Sequence, residues 1–183
     1  IKFFRHDGYK LDDEVEKCIE DIVFSGEIEN IRPTATKIGK AFRIDDALGR
    51  YVEFAKQSFP RGRTLDSLRI AVDCANGAAY KSTPCILREL GAETYVVHNA
   101  PNGTNINANC GSTYPSEIQR AVKEVQAHVG ITHDGDADRV LLCDECGELV
   151  DGDEIMAIAA LDLLRKGRLA GKTLVATVMS NFG

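Results

Sequence analysis

The sequence predicts an α/β protein: a layered α/β domain with a mixed, largely parallel sheet, flanked by partial α/β domains. Three observations carry this. Short β-rich runs alternate with helically spaced segments between Leu68 and Val150, the rhythm of strands joined by crossover helices. Helical spacing dominates the chain before that stretch. After it, a new helix and a new apolar run begin, as if a second unit were starting. The 183 residues suffice for one ordinary domain and part of another, and 44% hydrophobic with 27% charged residues is the composition of a globular protein.

Taken in order, "KLDDEVEKCIEDIVF" carries Leu11, Val15, Cys18, Ile19, Ile22 and Val23 at amphipathic-helix spacing. "SGEIENIRPTATKIG" reads as a connector, and "RIDDALGRYVEFAKQSF" resumes helical spacing through Ile44, Leu48, Tyr51, Val52 and Ala55. "LRIAVDC" is the first strand, "ANGAAY" a turn, and "KSTPCILRELG" a helix ending at Gly91. "AETYVVHN" is the second strand, followed by the long polar loop "APNGTNINANCGST". "YPSEIQRAVKEVQA" is a helix opened by a proline and a serine or threonine cap. "HVGIT" is the third strand, and "RVLLCDECGELVD" two strands around a turn containing Gly147. "DGDEIMAIAALDLLRKG" starts a helix with Asp151 and Glu154 as a capping pair, and "KTLVATVMS" is expected to be a further strand.

A net charge of −6 argues against a nucleic-acid backbone binder, and no apolar run approaches the about 20 residues that span a bilayer. Six cysteines at irregular spacing are too sparse for a disulfide scaffold and read as reduced thiols of a cytoplasmic protein. Cys143 and Cys146 form C-x-x-C, but with no second pair to complete a zinc site they read as the ends of a hairpin turn. The opening Ile1 and the ending "TVMSNFG" suggest a piece of a longer protein. The oligomeric state stays open, a homo-oligomer included.

The chemistry concentrates in "GITHDGDADRVLLCDE". Asp134, Asp136 and Asp138 alternate directly after a strand, where their side chains can converge on one hard cation. In open α/β sheets this end of the strands is where ligands gather. An EF-hand would need glycine where Arg139 stands, and helical rather than strand-like flanks. A cation in an aspartate cage beside a guanidinium makes a phosphate receptor, and Mg²⁺ suits it better than Ca²⁺ because three carboxylates leave positions open. The alternatives are a solvated acidic turn, and for Arg139 an ordinary structural ion pair with one of the aspartates. At Asn76 and Gly77, turn N–H groups facing a phosphate compete with a plain strand-to-helix connection, which a single glycine favours. His6, His98 and His128 receive no chemistry, and Asn102-Gly103-Thr104 is a sequon without meaning in a cytosolic chain.

"DGDADR" resembles the metal-binding loop of the α-D-phosphohexomutases. "RIAVDCANGAAYKSTPCILRELGAE", "PNGTNINANCGST" and "GELVDGDEIMAIAA" resemble the same family in order, its glucosamine-phosphate branch above all. The resemblance implies residues 1–42 as the end of a first domain with its linker, 43–150 as domain 2 with the metal loop, and 151–183 as the start of domain 3. It implies a cytoplasmic Mg²⁺ enzyme that interconverts glucosamine 6-phosphate and glucosamine 1-phosphate through a phosphoserine and a bisphosphorylated sugar, towards UDP-N-acetylglucosamine. Asp134, Asp136 and Asp138 match the family's metal ligands, and Arg139 its arginine near the transferring phosphate. The phosphoserine loop would lie before Ile1 and the sugar- and phosphate-binding loops beyond Gly183, so these residues alone are expected to be inactive. His133 departs from the pattern and carries no assigned role. Competing readings are a phosphomannomutase or phosphoglucomutase of the same superfamily, and an aspartate-nucleophile phosphatase with Asp134 attacking and Asp136 as acid/base. Asp138 weighs against the phosphatase, which usually has Thr or Val there. A non-enzymatic Mg²⁺-binding module is the third alternative.

Overall fold

The computed structural model describes residues 3–180, in two compact units, Ile1–Ile44 and Asp45–Gly183. The first unit holds helix α1 (Asp13–Phe24), the short helix α2 (Ile28–Ile31) and a 3₁₀ turn, Ala35–Lys37. Before α1, Phe4 and Lys10 bridge in antiparallel fashion, and Arg5 pairs with Asp7 and Asp12. The apolar spacing of α1 does make a helix, yet none of its residues is buried.

The second unit is built on five strands: β1 (Arg69–Asp73), β2 (Glu93–Val97), β3 (Val129–His133), β4 (Val140–Cys143) and β5 (Leu149–Val150). Their order is β2-β1-β3-β4-β5. β1 pairs parallel with β2 and with β3, whereas β3–β4 and β4–β5 are antiparallel. The sheet is therefore mixed, three parallel strands extended by a hairpin. β1 is the middle of the three parallel strands and reads as an unbroken apolar run, Ile70-Ala71-Val72, because both its faces are covered.

The remaining helices are α3 (Ala47–Lys56), α4 (Ser82–Glu89), α5 (Ser116–Val125) and α6 (Gly152–Arg165). Strand alternation sends Ala71 to one side, with Ile118, Ala121 and Val122 of α5. Ile70, Val72 and Cys74 go to the other side, with Leu87 of α4. The i, i+3, i+4 spacing in α5 is what presents its three apolar residues to the sheet. Gly130 lets that helix come close: a Cβ there would stand 2.7 Å from Val122 and 2.8 Å from Ile118. Pro84 is tolerated in α4 because it lies in the first turn, where a backbone N–H has no helical acceptor.

Some expectations change. "KTLVATVMS" forms no strand: after a 3₁₀ turn at Ala170–Lys172 the backbone is irregular, with Val175 and Val178 exposed. A strand requires a partner for its N–H and C=O groups, and among the described residues none lies beside this run. Asn181, Phe182 and Gly183, and Ile1 and Lys2, fall outside the described residues. The α5 cap also differs, since Pro115 occupies the N-cap position and no side chain caps the helix. The α6 capping box is present, with Asp151 accepting from the Asp153 and Glu154 N–H groups and Glu154 accepting from Asp151 N–H.

Candidate functional site

The strand order reverses direction at β1: the chain leaves it for β2 on one side and returns to β3 on the other. The carboxyl ends of the parallel strands β1 and β3 therefore lie side by side, the usual ligand position in such sheets. Two acid-bearing loops meet there.

The loop after β3 begins with Asp134, buried, whose Oδ1 accepts from Asp136 N–H at 2.8 Å. Ala137 N–H closes the turn on Asp134 O at 2.9 Å, with Ala137 in the left-handed region (φ 61°). Asp134 Oδ2 accepts a hydrogen bond from the Arg139 guanidinium, which also lies 3.6 Å from Asp138. Burial pushes the Asp134 carboxyl up. The Asp136 N–H, the Arg139 guanidinium and the Ala137 N–H outweigh it and hold the carboxyl below its usual range. Asp136 and Asp138 are exposed. The structure thus gathers Asp134, Asp136, Asp138 and Arg139 into one turn. The pairing it displays for Arg139 is the structural one, to Asp134 and Asp138.

This loop is held from behind. Gly135 O accepts from Ala78 N–H at 2.8 Å, and Gly77 stands so close that a Cβ on it would lie 2.2 Å from the same oxygen. The Asn76 N–H donates to His98 O and the Gly77 N–H to Cys74 O. Three successive N–H groups of the turn after β1 are therefore engaged within the protein, and the turn is a plain strand-to-helix connection. His133 directs Nε2 to Thr83 Oγ1 at 3.0 Å, while its buried Nδ1 has no hydrogen-bond partner among the described residues. Burial lowers the His133 pKa, against the pull of Asp73 and Asp134.

The loop after β1 holds a second cluster. Asp73 is fully buried; its Oδ1 accepts from Ala75 N–H at 2.8 Å and its Oδ2 from Gly111 N–H at 2.9 Å. His98 Nδ1 lies 3.1 Å from Asp73 Oδ1, and Asn76 Nδ2 donates to Cys110 Sγ at 3.8 Å. Ligand atoms of Asp73, His98 and Cys110 all lie within 4.8 Å of one another. Sequence reasoning missed this cluster, because the three residues share no motif. Only the topology joins them, from the ends of β1 and β2 and the far end of the polar loop. The other cysteines agree with the reading as free thiols: Cys143 is buried in the sheet and Cys146 exposed within the Asp144–Gly147 turn.

The family described as "Phosphoglucomutase/phosphomannomutase, alpha/beta/alpha domain II" matches residues 49–147. Among curated relatives, "Phosphoglucosamine mutase" of Geotalea uraniireducens is 59% identical over the whole chain, and the same-named protein of Syntrophotalea carbinolica 57%. The chain spans 40% of the length of each. A crystal structure of a phosphoglucomutase/phosphomannomutase family protein from Burkholderia thailandensis superposes with a TM-score of 0.63 at 22% identity, over 85% of this chain and 32% of that one. That likeness bears on the fold, and it agrees with the mixed sheet covered by helices on both faces. By its sheet, its strand-end loops and the match over 49–147, the chain belongs to the phosphoglucomutase/phosphomannomutase family and contains that family's α/β/α domain II.

Proposed function

We propose that this chain is the metal-binding central segment of a phosphoglucosamine mutase, an intramolecular phosphotransferase interconverting glucosamine 6-phosphate and glucosamine 1-phosphate. The observation that carries this reading is 57–59% identity, along the entire chain, to proteins of that name. Its parts are the end of domain 1 with its linker (1–42), domain 2 (43–150) and the start of domain 3 (151–183). The substrate is a phosphosugar, and the setting is cytoplasmic. Among the described residues no helix is long and apolar enough to cross a membrane.

Asp134, Asp136 and Asp138 would hold Mg²⁺. They offer oxygen donors alone, the chemistry a hard divalent cation selects, and two of the three carboxylates face outward. When bound, the ion neutralises charge on the phosphoryl group in transfer. Asp134 anchors the loop by its Asx turn and orients Arg139. Arg139, with its side chain 70% exposed, can turn one edge of its guanidinium to a phosphate oxygen while the other stays on Asp134. The nucleophilic serine of this reading lies outside these residues.

The test uses the longer protein that carries this segment, with glucosamine 6-phosphate, Mg²⁺ and a bisphosphorylated sugar primer, following glucosamine 1-phosphate. Turnover is expected, and Asp134→Ala should lower it by about 10²-fold or more. Arg139→Lys should also be impaired, since an ammonium cannot make a planar two-point contact. Turnover of mannose or glucose phosphates in place of glucosamine phosphate would move the assignment to a sister mutase. Phosphate release from a generic phosphomonoester would replace it with a phosphatase.

A further inference from the structure

We propose that Asp73, His98 and Cys110 form a second metal site, one for Zn²⁺, that clips the long loop after β2 onto the end of β1. The proposal stands on the geometry of these three residues and is independent of the mutase reading. A thiol, an imidazole and a carboxylate make the mixed sulfur, nitrogen and oxygen set that zinc accepts and Mg²⁺ does not.

The geometry singles out an ion over a plain hydrogen-bonded network at His98. Its Nδ1 is buried and 3.1 Å from Asp73 Oδ1, yet the two are not aligned as a hydrogen bond, and among the described residues Nδ1 has no hydrogen-bond partner. Two atoms close together but not aimed at each other are what two ligands of one ion look like. Zinc–ligand distances of about 2.0–2.3 Å put two ligands of a tetrahedral ion roughly 3.3–3.8 Å apart. The three ligand atoms, all within 4.8 Å of one another, approach that spacing, and small side-chain torsions close the remainder.

The surroundings hold the ligands in place. Asp73 is fixed by the Ala75 and Gly111 N–H groups, which leave lone pairs on both oxygens. Cys110 Sγ accepts from Asn76 Nδ2, a donor of the kind that steadies a metal-bound sulfur. Ala75, Asn76, His98, Asn107 and Asn109 all have positive φ, between 48° and 55°. Left-handed backbone at Ala75 is uncommon for an alanine, and such positions concentrate where the surroundings over-determine the fold. Asp73 and Cys110 have no exposed surface, while the His98 side chain retains 28%, so a metal ion enters past the imidazole. Binding takes the proton from the Cys110 thiol to solvent and leaves a sulfur–zinc bond, with His98 neutral and no change of oxidation state.

The full chain, stripped with a chelator, is titrated with Co²⁺ as a spectroscopic stand-in and then with Zn²⁺. With water as the fourth ligand, one equivalent of Co²⁺ should give a thiolate-to-cobalt charge-transfer band and the intense visible bands of a tetrahedral site, both abolished by Zn²⁺. Cobalt held by oxygen ligands at Asp134, Asp136 and Asp138 gives no thiolate band, so the two sites are told apart. Cys110→Ser should lose the band, and His98→Ala, at a partly exposed position, should weaken Co²⁺ binding by more than about tenfold. Absence of the band in the parent, or the same band at the same affinity in both variants, overturns the proposal and leaves a hydrogen-bonded network only.

Discussion

The loops after β1 and β3 start alike and end differently. Each opens with a strand-terminal aspartate whose Oδ1 accepts the N–H two residues on, at 2.8 Å in both. They part at the second oxygen. Asp73 Oδ2 is taken by a backbone N–H from another loop, that of Gly111, whereas Asp134 Oδ2 is taken by the flexible, largely exposed side chain of Arg139. A backbone partner cannot leave without unfolding something. A surface guanidinium can swing towards a ligand and return. The same local turn therefore serves as a fixed joint in one loop and as an adjustable one in the other.

The contrast breaks most easily at the acids themselves. Asp73→Ala strands two buried N–H groups, at about 1–3 kcal/mol each, so a loss of about 2–6 kcal/mol is expected in urea denaturation with chelator present. Asp138→Ala, in the other loop, removes only an exposed carboxylate 3.6 Å from Arg139 and should change stability by less than about 1 kcal/mol. Equal losses would erase the distinction between the two joints.

A smaller effect is expected where the loops touch. Gly77→Ala would drive a Cβ to 2.2 Å from the Gly135 carbonyl oxygen, and backbone cannot step aside cheaply. Thermal melting should report a cost of about 1–3 kcal/mol, the range for forcing extra volume into a packed site. Gly135→Ala meets the side chains of Ile106 and Asn107 instead, and should cost less because those ends can rotate. The reverse order would show that the β1 turn, not the β3 loop, is the part that yields.

The smallest effect sets the scale for pairing at the surface. Lys56 of α3 donates to Glu89 of α4 at 2.6 Å, and Cys85 Sγ donates to the same carboxylate at 3.3 Å. The Lys56 bond first, and then that of Cys85, lower the Glu89 pKa from 4.5. A carboxyl that binds protons less well folded than unfolded adds stability above its ordinary pKa and loses it as pH falls through the folded value. Between pH 4.5 and the folded value the parent should lose stability more steeply than Glu89→Gln, and high salt should flatten the difference. Matching acid slopes at low salt would show that this bridge adds nothing.

What could be read in the sequence was what rests on local spacing. The three parallel strands, the hairpin, the helices between them and the Asp151–Glu154 cap are all written in runs of a dozen residues or fewer. The Asp134 loop was legible for the same reason, its acids being adjacent in the chain. "KTLVATVMS" shows the limit: β-branched residues favour extended backbone, but a strand also needs a neighbour, which no local pattern supplies. His98 and Cys110 show it again. Each looks unremarkable in its own segment, and their meeting with Asp73 depends on β2 lying beside β1 and on the polar loop folding back over both.

The place of β1 between β2 and β3 also has a consequence in time. β1 takes one neighbour early, from β2, and the other only when β3 arrives after the whole stretch from Val97 to Val129. At about 5–20 residues per second, a growing chain leaves that second edge open for a few seconds on the ribosome. The edge is Ile70-Ala71-Val72, apolar and without a charge to discourage a stranger. Newly made copies of this protein are thus most vulnerable to mispairing before His128 and Val129 emerge, and a translational pause placed in the polar loop would lengthen that exposure.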